Sequence, residues 1–228
     1  MIEPLDLYAK IEPMIGFYRE YEELYEKYLN LLSVLDVKKV LDIGCGNGKL
    51  LKLLKNKGFN SCGIDRSEMM VKRAKSLGVN ACTKELNELE DASFDCALGV
   101  ADVLNYIKLD EIDGFFSQLS TVLKPDGYFL ADVNTIEGFE LADGVMVRDE
   151  NDRFLSVESY FEEEILTTNL TFFEKKRDFF IKSTGKILQY YHHKKTFENI
   201  KNFKLIETFP IDLFGSGTEK LLMVFQRH

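Results

Sequence analysis

The sequence predicts an α/β fold in which a doubly wound, mainly parallel seven-stranded sheet carries an antiparallel β insertion after its fifth strand. Three observations lead to this prediction. Apolar segments alternate with amphipathic helical ones over residues 38–134, a glycine-rich turn follows the first apolar segment, and β-branched and aromatic residues dominate after about residue 144. Strands that alternate with helices at this spacing form right-handed βαβ units, and neighbouring strands are then parallel.

The size of the chain favours one domain. It has 228 residues, 45% of them hydrophobic, which suffices for one sizeable core. We expect four parts within it. A helical cap spans residues 1–35, a ligand-binding core spans 36–144, an antiparallel insertion that serves as a substrate lid spans 145–195, and the last helix and strands of the core span 196–228.

The spacing of hydrophobic residues predicts the individual elements. Apolar side chains recur every three or four positions from Phe17 to Leu35, which indicates an amphipathic helix. Ser67 and Asp110 are expected to cap two further helices, and Pro125 prevents the second from continuing. The predicted strands of the main sheet are 38–43, 60–65, 79–83, 94–100, 127–133, 203–208 and 220–226, with helices also at 47–57 and around 197–200. The insertion is expected to hold three or four strands, with Gly185 in one turn.

Charge and cysteine spacing exclude several classes of protein. The net charge of −9 argues against a large basic face that binds nucleic acid through its phosphates. The opening MIEPLDLY has no basic start followed by an apolar run, and no segment approaches the length that spans a bilayer, so we expect a cytoplasmic protein without a membrane partner. Cys45, Cys62, Cys82 and Cys96 contain no CxxC pair, which predicts buried thiols and no metal site.

The segment VLDIGCGNG, residues 40–48, carries the clearest functional signal. A strand that enters such a turn and opens a helix presents free backbone N–H groups at the carboxyl edge of the sheet. Counting from Gly44, the sixth position of a dinucleotide fingerprint is Lys49 and not glycine, which disfavours a nicotinamide dehydrogenase. The GK[ST] ending of a phosphate-binding P-loop is also missing.

Two carboxylates narrow the class of ligand. Asp42 lies two residues before the first glycine, where it would repel a pyrophosphate and suits an ammonium group. Asp65 ends the second predicted strand, where a carboxylate can accept both hydroxyl protons of a ribose. The sequence therefore predicts a ligand with a ribose and an ammonium group, and S-adenosylmethionine fits that description.

Four segments together resemble a known family. VLDIGCGNG, GIDRSEMM, SFDCALGVADVLNYI and LKPDGYFLADVNT, in this order and spacing, are similar to class I S-adenosylmethionine-dependent methyltransferases over roughly residues 38–134. LNYI and DVNT resemble a subgroup of small-molecule N-methyltransferases, including some that act on nucleotide-linked amino sugars. The resemblance implies a Rossmann-like methyltransferase fold, S-adenosylmethionine as cofactor and S-adenosylhomocysteine as product.

The resemblance also implies roles for individual residues. Those that line the methionine part are Asp42, Gly44, Cys45 and Gly46, with Asn47 and Gly48 completing the turn. Asp65 would hold the ribose, Arg66 and Met70 would flank the adenine, and Gly99 and Val100 would run under the sulfonium. Asp102 and Asn105 would face both cofactor and substrate. For the adenine amino group, the candidates are Glu85 with the backbone of Leu86, while Thr83 and Asn87 compete. Tyr21 and Tyr8 would come from an N-terminal helix folded over the cofactor.

A general base has few candidates. Methyl transfer is an in-line displacement in which the protein mainly aligns donor and acceptor, so an amine acceptor needs no strong base and a hydroxyl acceptor usually does. His192 and His193 lie together near the end of the insertion, and an imidazole titrates in the useful range. His193 is the candidate that meets the substrate, because the resembling subgroup tends to keep a histidine there. The alternative is that both are ordinary rim histidines.

These observations favour a methyltransferase that acts on a small molecule, at nitrogen in preference to oxygen. Two alternatives stay open. One is methylation of tRNA or protein, against which the acidic composition argues, and the other is a non-catalytic module that binds S-adenosylmethionine. The sequence does not decide between a monomer and a homodimer.

Overall fold

A computed structural model describes residues 4–215 and 217–228 and contains two sheets. The main sheet has seven strands in the order β10-β11-β5-β4-β1-β2-β3. All neighbours from β5 to β3 are parallel, whereas β11 runs antiparallel to both β5 and β10. The second sheet has four antiparallel strands in the order β6-β7-β8-β9. The predicted fold class, with its antiparallel insertion after the fifth strand, is confirmed.

The elements have these bounds. The helices are α1 (Pro4–Ile15), α2 (Tyr18–Val34), α3 (Lys49–Asn56), α4 (Glu68–Ser76), α5 (Ile112–Val122) and α6 (Ile136–Ala142). The strands are β1 (Lys39–Ile43), β2 (Asn60–Ile64), β3 (Ala81–Cys82), β4 (Phe94–Gly99), β5 (Leu123–Asn134), β6 (Gly144–Glu150), β7 (Arg153–Glu162), β8 (Ile165–Lys176), β9 (Phe179–Tyr190), β10 (Phe203–Ile211) and β11 (Lys220–Arg227). The predicted cap of α4 is confirmed, because the Ser67 side chain accepts from the Met70 N–H.

The main sheet is covered by apolar side chains on both faces, as expected for parallel strands between helices. One face packs α2, α3 and α4 through residues such as Leu24, Leu51 and Val71. The other packs α5 around an aromatic cluster in which the Phe116 ring lies 5.7 Å from Phe129 and 5.2 Å from Phe225. This double burial leaves the carboxyl edge of the sheet as the place where a ligand can approach.

Helix α1 is the main element that the sequence reading did not identify as a separate helix. Its buried side chains Leu7, Ile11 and Met14 pack on Leu170 and Phe172 of the second sheet. The prediction that Gly185 lies in a turn is wrong, and the packing of α1 on the second sheet explains why a glycine is present there. Gly185 pairs with Leu170 in the middle of β9, where a Cβ atom would lie 3.0 Å from Leu7 Cδ2, so the glycine allows α1 to pack closely on the sheet.

Three other boundaries differ from the predictions. Asp110 does not cap α5, because a 3-10 turn (Leu109–Glu111) precedes that helix and Glu111 takes the capping position. Strand β5 begins at Leu123, before Pro125, and not at residue 127. The short helix expected around residue 197 is a 3-10 turn at Lys194–Phe197. In the described part of the chain, no helix is both long enough and apolar enough to cross a membrane.

The glycines that flank α3 allow a test of close packing. Gly48 has φ +81°, and a Cβ atom there would lie 2.6 Å from Ala74 Cβ, whereas Gly58 has φ +88° and open space around it. We expect Gly58→Ala to lower the free energy of unfolding by about 1 kcal/mol through backbone strain alone. Gly48→Ala should cost about 1–3 kcal/mol more because of the clash. Urea unfolding of both variants measures the difference, and equal losses would contradict the packing argument.

Candidate active site

The turn between β1 and α3 has the shape that a close-approaching ligand requires. Gly44, Gly46 and Gly48 all have positive φ angles, of 68°, 51° and 81°, which glycine adopts without steric cost. The N–H groups of Gly44 and Cys45 both donate to the Ile64 carbonyl, which ties the turn to the end of β2. A Cβ atom on Gly46 would meet nothing within 4 Å, so open space lies against its backbone.

Asp42 is a buried carboxylate at the base of this turn. It is 2% exposed, and its Oδ2 atom has no hydrogen-bond partner among the described residues. Burial, with the Asp65 carboxylate as a lesser cause, raises the pKa of Asp42 to about 8. A buried carboxyl without a partner is costly, so this position is suited to a ligand that brings a hydrogen-bond donor or a positive charge.

Asp65 lies at the end of β2 and closes the turn from the other side. Its Oδ2 accepts from the Gly46 N–H at 2.8 Å, and its Oδ1 accepts from the Ser67 N–H at 2.8 Å. Burial raises its pKa, while these two bonds act in the opposite direction. A carboxylate has about four lone-pair positions, so each oxygen can still accept one further hydrogen bond, as a ribose diol requires.

Helix α1 covers this edge of the sheet through polar contacts. Ser67 Oγ donates to Asp6 Oδ1 at 2.5 Å, and Asn47 Nδ2 donates to Glu12 Oε1 at 3.2 Å. The Asn47 side chain, predicted to complete the turn, therefore also binds the covering helix. Because Asp6 and Glu12 add two carboxylates to Asp42 and Asp65, the rim of the site is acidic and favours a cationic ligand.

A group of tyrosines lies beside the covering helix. Tyr8 and Tyr21 lie close enough for each phenol to affect the ionisation of the other, and the Tyr21 ring stacks on Tyr25 with centroids 6.3 Å apart. Burial raises the pKa of Tyr8 and of Tyr106, and the neighbouring Tyr8 raises that of Tyr21. These phenols therefore stay neutral and can donate hydrogen bonds. Tyr21 lies next to Tyr8 of the covering helix, and a contact of Tyr21 with a cofactor stays a prediction.

The backbone after β4 is strained and held by a buried carboxylate. Ala101 and Asp102 have φ angles of 60° and 72°, which non-glycine residues adopt at a cost. Asp132, fully buried on β5, accepts from the Ala101 N–H at 2.8 Å, from the Asp102 N–H at 3.3 Å and from the Tyr28 hydroxyl at 2.7 Å. Burial raises the pKa of Asp132 to about 6. We call residues 100–105 the sulfonium turn, after the role that the sequence resemblance implies for its first residues.

A lysine that the sequence reading missed completes this arrangement. Lys220, the first residue of β11, contacts Asp102 Oδ1, and its Nζ lies 3.0 Å from Asp132 Oδ2. Burial lowers the pKa of Lys220 to about 7. The available signal was the charged pair Glu219 and Lys220 directly before the apolar run LLMVF, where a strand position facing the core would usually be apolar.

Asn105 bridges three elements instead of presenting a free amide. It is fully buried, its Nδ2 donates to the Tyr190 carbonyl at 2.9 Å, and its Oδ1 accepts from the Asn134 N–H at 3.0 Å. The end of β9 and the end of β5 are thereby fixed to the sulfonium turn. Asn105 positions the backbone of the turn, and a direct contact of its side chain with an acceptor stays a prediction.

The two histidines have different surroundings. His192 is 3% exposed, and its Nε2 lies 3.1 Å from the Leu104 carbonyl and 2.9 Å from the Ile107 carbonyl, so it also anchors the sulfonium turn. Burial lowers the pKa of His192. His193 is largely exposed, and its Nε2 lies 3.0 Å from Glu164 Oε1. It contacts Glu164 and the Tyr191 ring, and these contacts do not join it to Asp102 or Asn105.

The remaining candidates lie around the end of β2 and β4. Arg66 and Glu85 form an exposed ion pair at 3.4 Å, and Glu85 also caps the 3-10 turn that holds the buried Leu86. Met70 is 7% exposed and lies in the first turn of α4. The other predicted residues are the buried Cys45 in the glycine turn and, at the end of β4, Gly99 and the buried Val100.

A separate cavity of about 360 Å³ opens beside the end of β5. Its lining includes Asn134, Glu137, Tyr191, His192 and Lys194. No residue of the glycine turn lines it. The cavity is therefore separate from the glycine turn, and it does not define where the predicted cofactor would bind.

Comparisons with known proteins agree with this geometry. Residues 41–131 match a family model described as a methyltransferase domain. A protein of Geobacillus sp. (strain WCH70) that carries the name "Putative methyltransferase" is 32% identical over 52% of this chain and 51% of its own length. The chain spans about half the length of the curated relatives it matches.

Solved structures show the same fold over nearly the whole chain. A crystal structure of an S-adenosylmethionine-dependent methyltransferase from Clostridium acetobutylicum ATCC 824 has a TM-score of 0.74 at 20% identity and covers 97% of this chain and 96% of its own. The sugar N-methyltransferase KedS8 from Streptoalloteichus sp. ATCC 53650 has a TM-score of 0.73 at 14% identity and covers 100% and 94%.

The fold, the glycine turn and the matched segment define the class of protein. Residues 41–131 match the methyltransferase domain model, and the chain has the fold of the class I S-adenosylmethionine-dependent methyltransferases. The resemblance found in the sequence is thereby confirmed.

Asp42 gives a pH-dependent test of the site. Its raised pKa means that the neutral form contributes stability that is present below the ordinary carboxyl pKa and is lost as the pH rises through about 8. Asp42→Asn cannot ionise, so its free energy of unfolding should exceed that of the wild type by on the order of 2 kcal/mol near pH 9 and by much less near pH 4.

Urea unfolding at both pH values measures this difference. The exposed Asp91→Asn serves as control and should show no such growth with pH. A difference for Asp42→Asn that is the same at both pH values would show that Asp42 is not buried in a protonated form.

Proposed function

We propose that this chain is an S-adenosylmethionine-dependent methyltransferase whose acceptor is a small-molecule amine. One observation carries the proposal. The Asp42 carboxyl is buried with an unpartnered oxygen in the described structure, next to a glycine backbone with open space against it. This combination favours a ligand that pairs a cationic group with a part that lies flat against the turn.

The residues present fit this cofactor. Asp42 would receive the ammonium group of its methionine part, and Asp65 would accept hydrogen bonds from the two ribose hydroxyls. The helix α3 begins at this turn, with Gly48 as its capping residue, so its positive end faces the same edge and suits the carboxylate of the methionine part. Arg66 and Met70 remain proposed neighbours of the adenine, with Glu85 and Leu86 on its far side.

Bound in this way, the cofactor supplies an electrophilic methyl group on a sulfonium. The chain's own residues orient the two reactants and exclude water, which accelerates a displacement through alignment. Helix α1 and the tyrosines Tyr8 and Tyr21 would cover the cofactor, while the sulfonium turn would present Asp102 to the reacting end. The Asp102 side chain keeps about a quarter of its surface exposed and can accept a hydrogen bond from an acceptor N–H.

An amine acceptor is supported over a hydroxyl by the shortage of a strong base. His192 binds two backbone carbonyls through Nε2, and its buried Nδ1 has no hydrogen-bond partner among the described residues. Burial lowers the pKa of His192, so this nitrogen is a weak base, while His193 is engaged with Glu164. A neutral amine attacks without prior deprotonation by a strong base, whereas a hydroxyl usually requires one. The name of KedS8, a sugar N-methyltransferase with this fold, supports the same class of acceptor. His193 stays a proposed contact for the distal part of the acceptor.

The cofactor assignment predicts two binding defects. Asp65→Ala should weaken the binding of S-adenosylhomocysteine by roughly tenfold or more, since it removes charge-assisted hydrogen bonds to the ribose and the tie to the Gly46 N–H. Gly46→Val should abolish detectable binding, because its side chain would fill the open space at the turn. Calorimetry with S-adenosylhomocysteine measures both, and Asp91→Asn is the matched surface control. Wild-type affinity in Asp65→Ala would contradict the assignment.

The proposed activity is tested by the release of S-adenosylhomocysteine from S-adenosylmethionine. The acceptor panel contains amino hexoses, amino pentoses, their nucleoside diphosphate conjugates, the matching hydroxyl sugars, bulk tRNA and a lysine-rich peptide. We expect turnover with at least one amino sugar and none with its hydroxyl counterpart. Turnover with tRNA alone, and its loss as salt rises, would replace the small-molecule proposal with nucleic acid. Tight cofactor binding without any turnover would identify a non-catalytic module.

A further inference from the structure

Lys220, Asp102 and Asp132 form a largely buried charge cluster that has no role in the reaction proposed above. Lys220 belongs to β11, Asp132 to β5 and Asp102 to the sulfonium turn, so the cluster joins three separate segments. Lys220 and Asp132 are both buried, whereas the Asp102 side chain is 23% exposed. The cluster therefore reaches from the interior to the edge of the site through Asp102.

The backbone shows that this cluster holds a conformation that is not intrinsically favourable. Two consecutive non-glycine residues, Ala101 and Asp102, have left-handed φ angles, which residues with a Cβ atom adopt only at a steric cost. The two oxygens of Asp132 accept from both of their N–H groups. Lys220 contacts Asp132 and Asp102 together, so it fixes the side chain of Asp102 as well as the carboxylate that holds its backbone.

The positive charge of Lys220 also affects the protonation of the two carboxylates that it contacts. Two carboxylates this close to a shared partner repel each other, and removing the cation between them favours protonation of one. Groups that face the cluster from neighbouring elements are Tyr28 and Tyr25 from α2, Asp42 from β1 and Gln189 from β9, whose Nε2 lies 3.4 Å from Asp102 Oδ2. Among these described neighbours, Lys220 is the one cation.

We propose that Lys220 is a positioning residue for methyl transfer, which keeps the Asp102 carboxylate ionised and directed toward the acceptor at the sulfonium turn. The inference rests on the proposed function, since it assigns Asp102 the acceptor N–H as its partner. Lys220 itself does not touch the acceptor. It acts through Asp102, and its loss leaves the glycine turn and Asp65 unchanged.

The test uses the full chain with the amino sugar that gives the highest release of S-adenosylhomocysteine in the panel above. Lys220→Met should lower kcat by roughly 10- to 100-fold, because misplacement of a positioning group by about 1 Å has an effect of this size. The affinity for S-adenosylhomocysteine, measured by calorimetry, should change by less than about threefold, since the proposed cofactor contacts at the glycine turn and Asp65 are retained.

The pH profile separates this role from a merely structural one. Dividing the variant's kcat/KM by that of the wild type at each pH cancels the titration of the acceptor. In Lys220→Met the Asp102 carboxylate lacks its cation and is protonated more readily. The ratio should therefore be lowest at acid pH and increase as the pH rises. Lys220→Arg keeps the charge, so its ratio should show no such loss at acid pH, where Lys220 itself is protonated.

Lys124→Met is the matched control, because Lys124 pairs with Asp95 at 2.6 Å at the opposite end of the sheet. It should leave both the rate and the ratio unchanged. Should Lys220→Met fail to fold, Lys220→Gln replaces it with the same expected ratio. If wild type turns over but the ratio for Lys220→Met or Lys220→Gln does not change with pH, the positioning role of Lys220 is wrong and the proposed function stands. No turnover by wild type with any acceptor overturns the proposed function and this inference with it.

Discussion

The site depends on a buried carboxylate that the protein itself leaves partly without a hydrogen-bond partner. Asp42 is the next-to-last residue of β1, where its neighbours Leu41 and Ile43 are apolar, and the chain turns sharply through positive φ angles from Gly44 onward. Burial makes its ionised form costly, so a cationic ligand would return electrostatic energy that the free protein lacks. Asp42 therefore lowers the stability of the free protein at a position where it would favour binding of a cationic ligand, while the surrounding core is well packed.

The elements outside the core surround and support the site around Asp42. Helix α1 packs on the second sheet through its apolar face and contacts Ser67 and Asn47 through its polar face. The antiparallel sheet therefore supports the helix that covers the cofactor edge, and the same sheet reaches the sulfonium turn through Gln189 and Tyr190. Covering helix, second sheet and strained turn meet at one edge, where donor and acceptor would have to be aligned.

Much of the core could be predicted from the sequence because its signals are local. The glycine spacing, Asp65 at the end of β2 and the cap at Ser67 each depend on a few neighbouring residues, and each is where it was expected. Contacts between distant segments could not be predicted in this way. Gly185 was predicted to lie in a turn because its contact with Leu7 of α1, which is far away in the sequence, leaves no local signal. Lys220 had no local signal for its contacts with Asp102 and Asp132.

The most direct test of the account is the number of protons released when S-adenosylhomocysteine binds. If Asp42 is protonated in the free protein and ionised beside the ligand's ammonium group, binding near pH 7 should release close to one proton per site. Calorimetry in buffers of different ionisation enthalpy counts these protons, and Asp42→Asn should release almost none. Binding heat that is independent of the buffer in the wild type would contradict the central role given to Asp42.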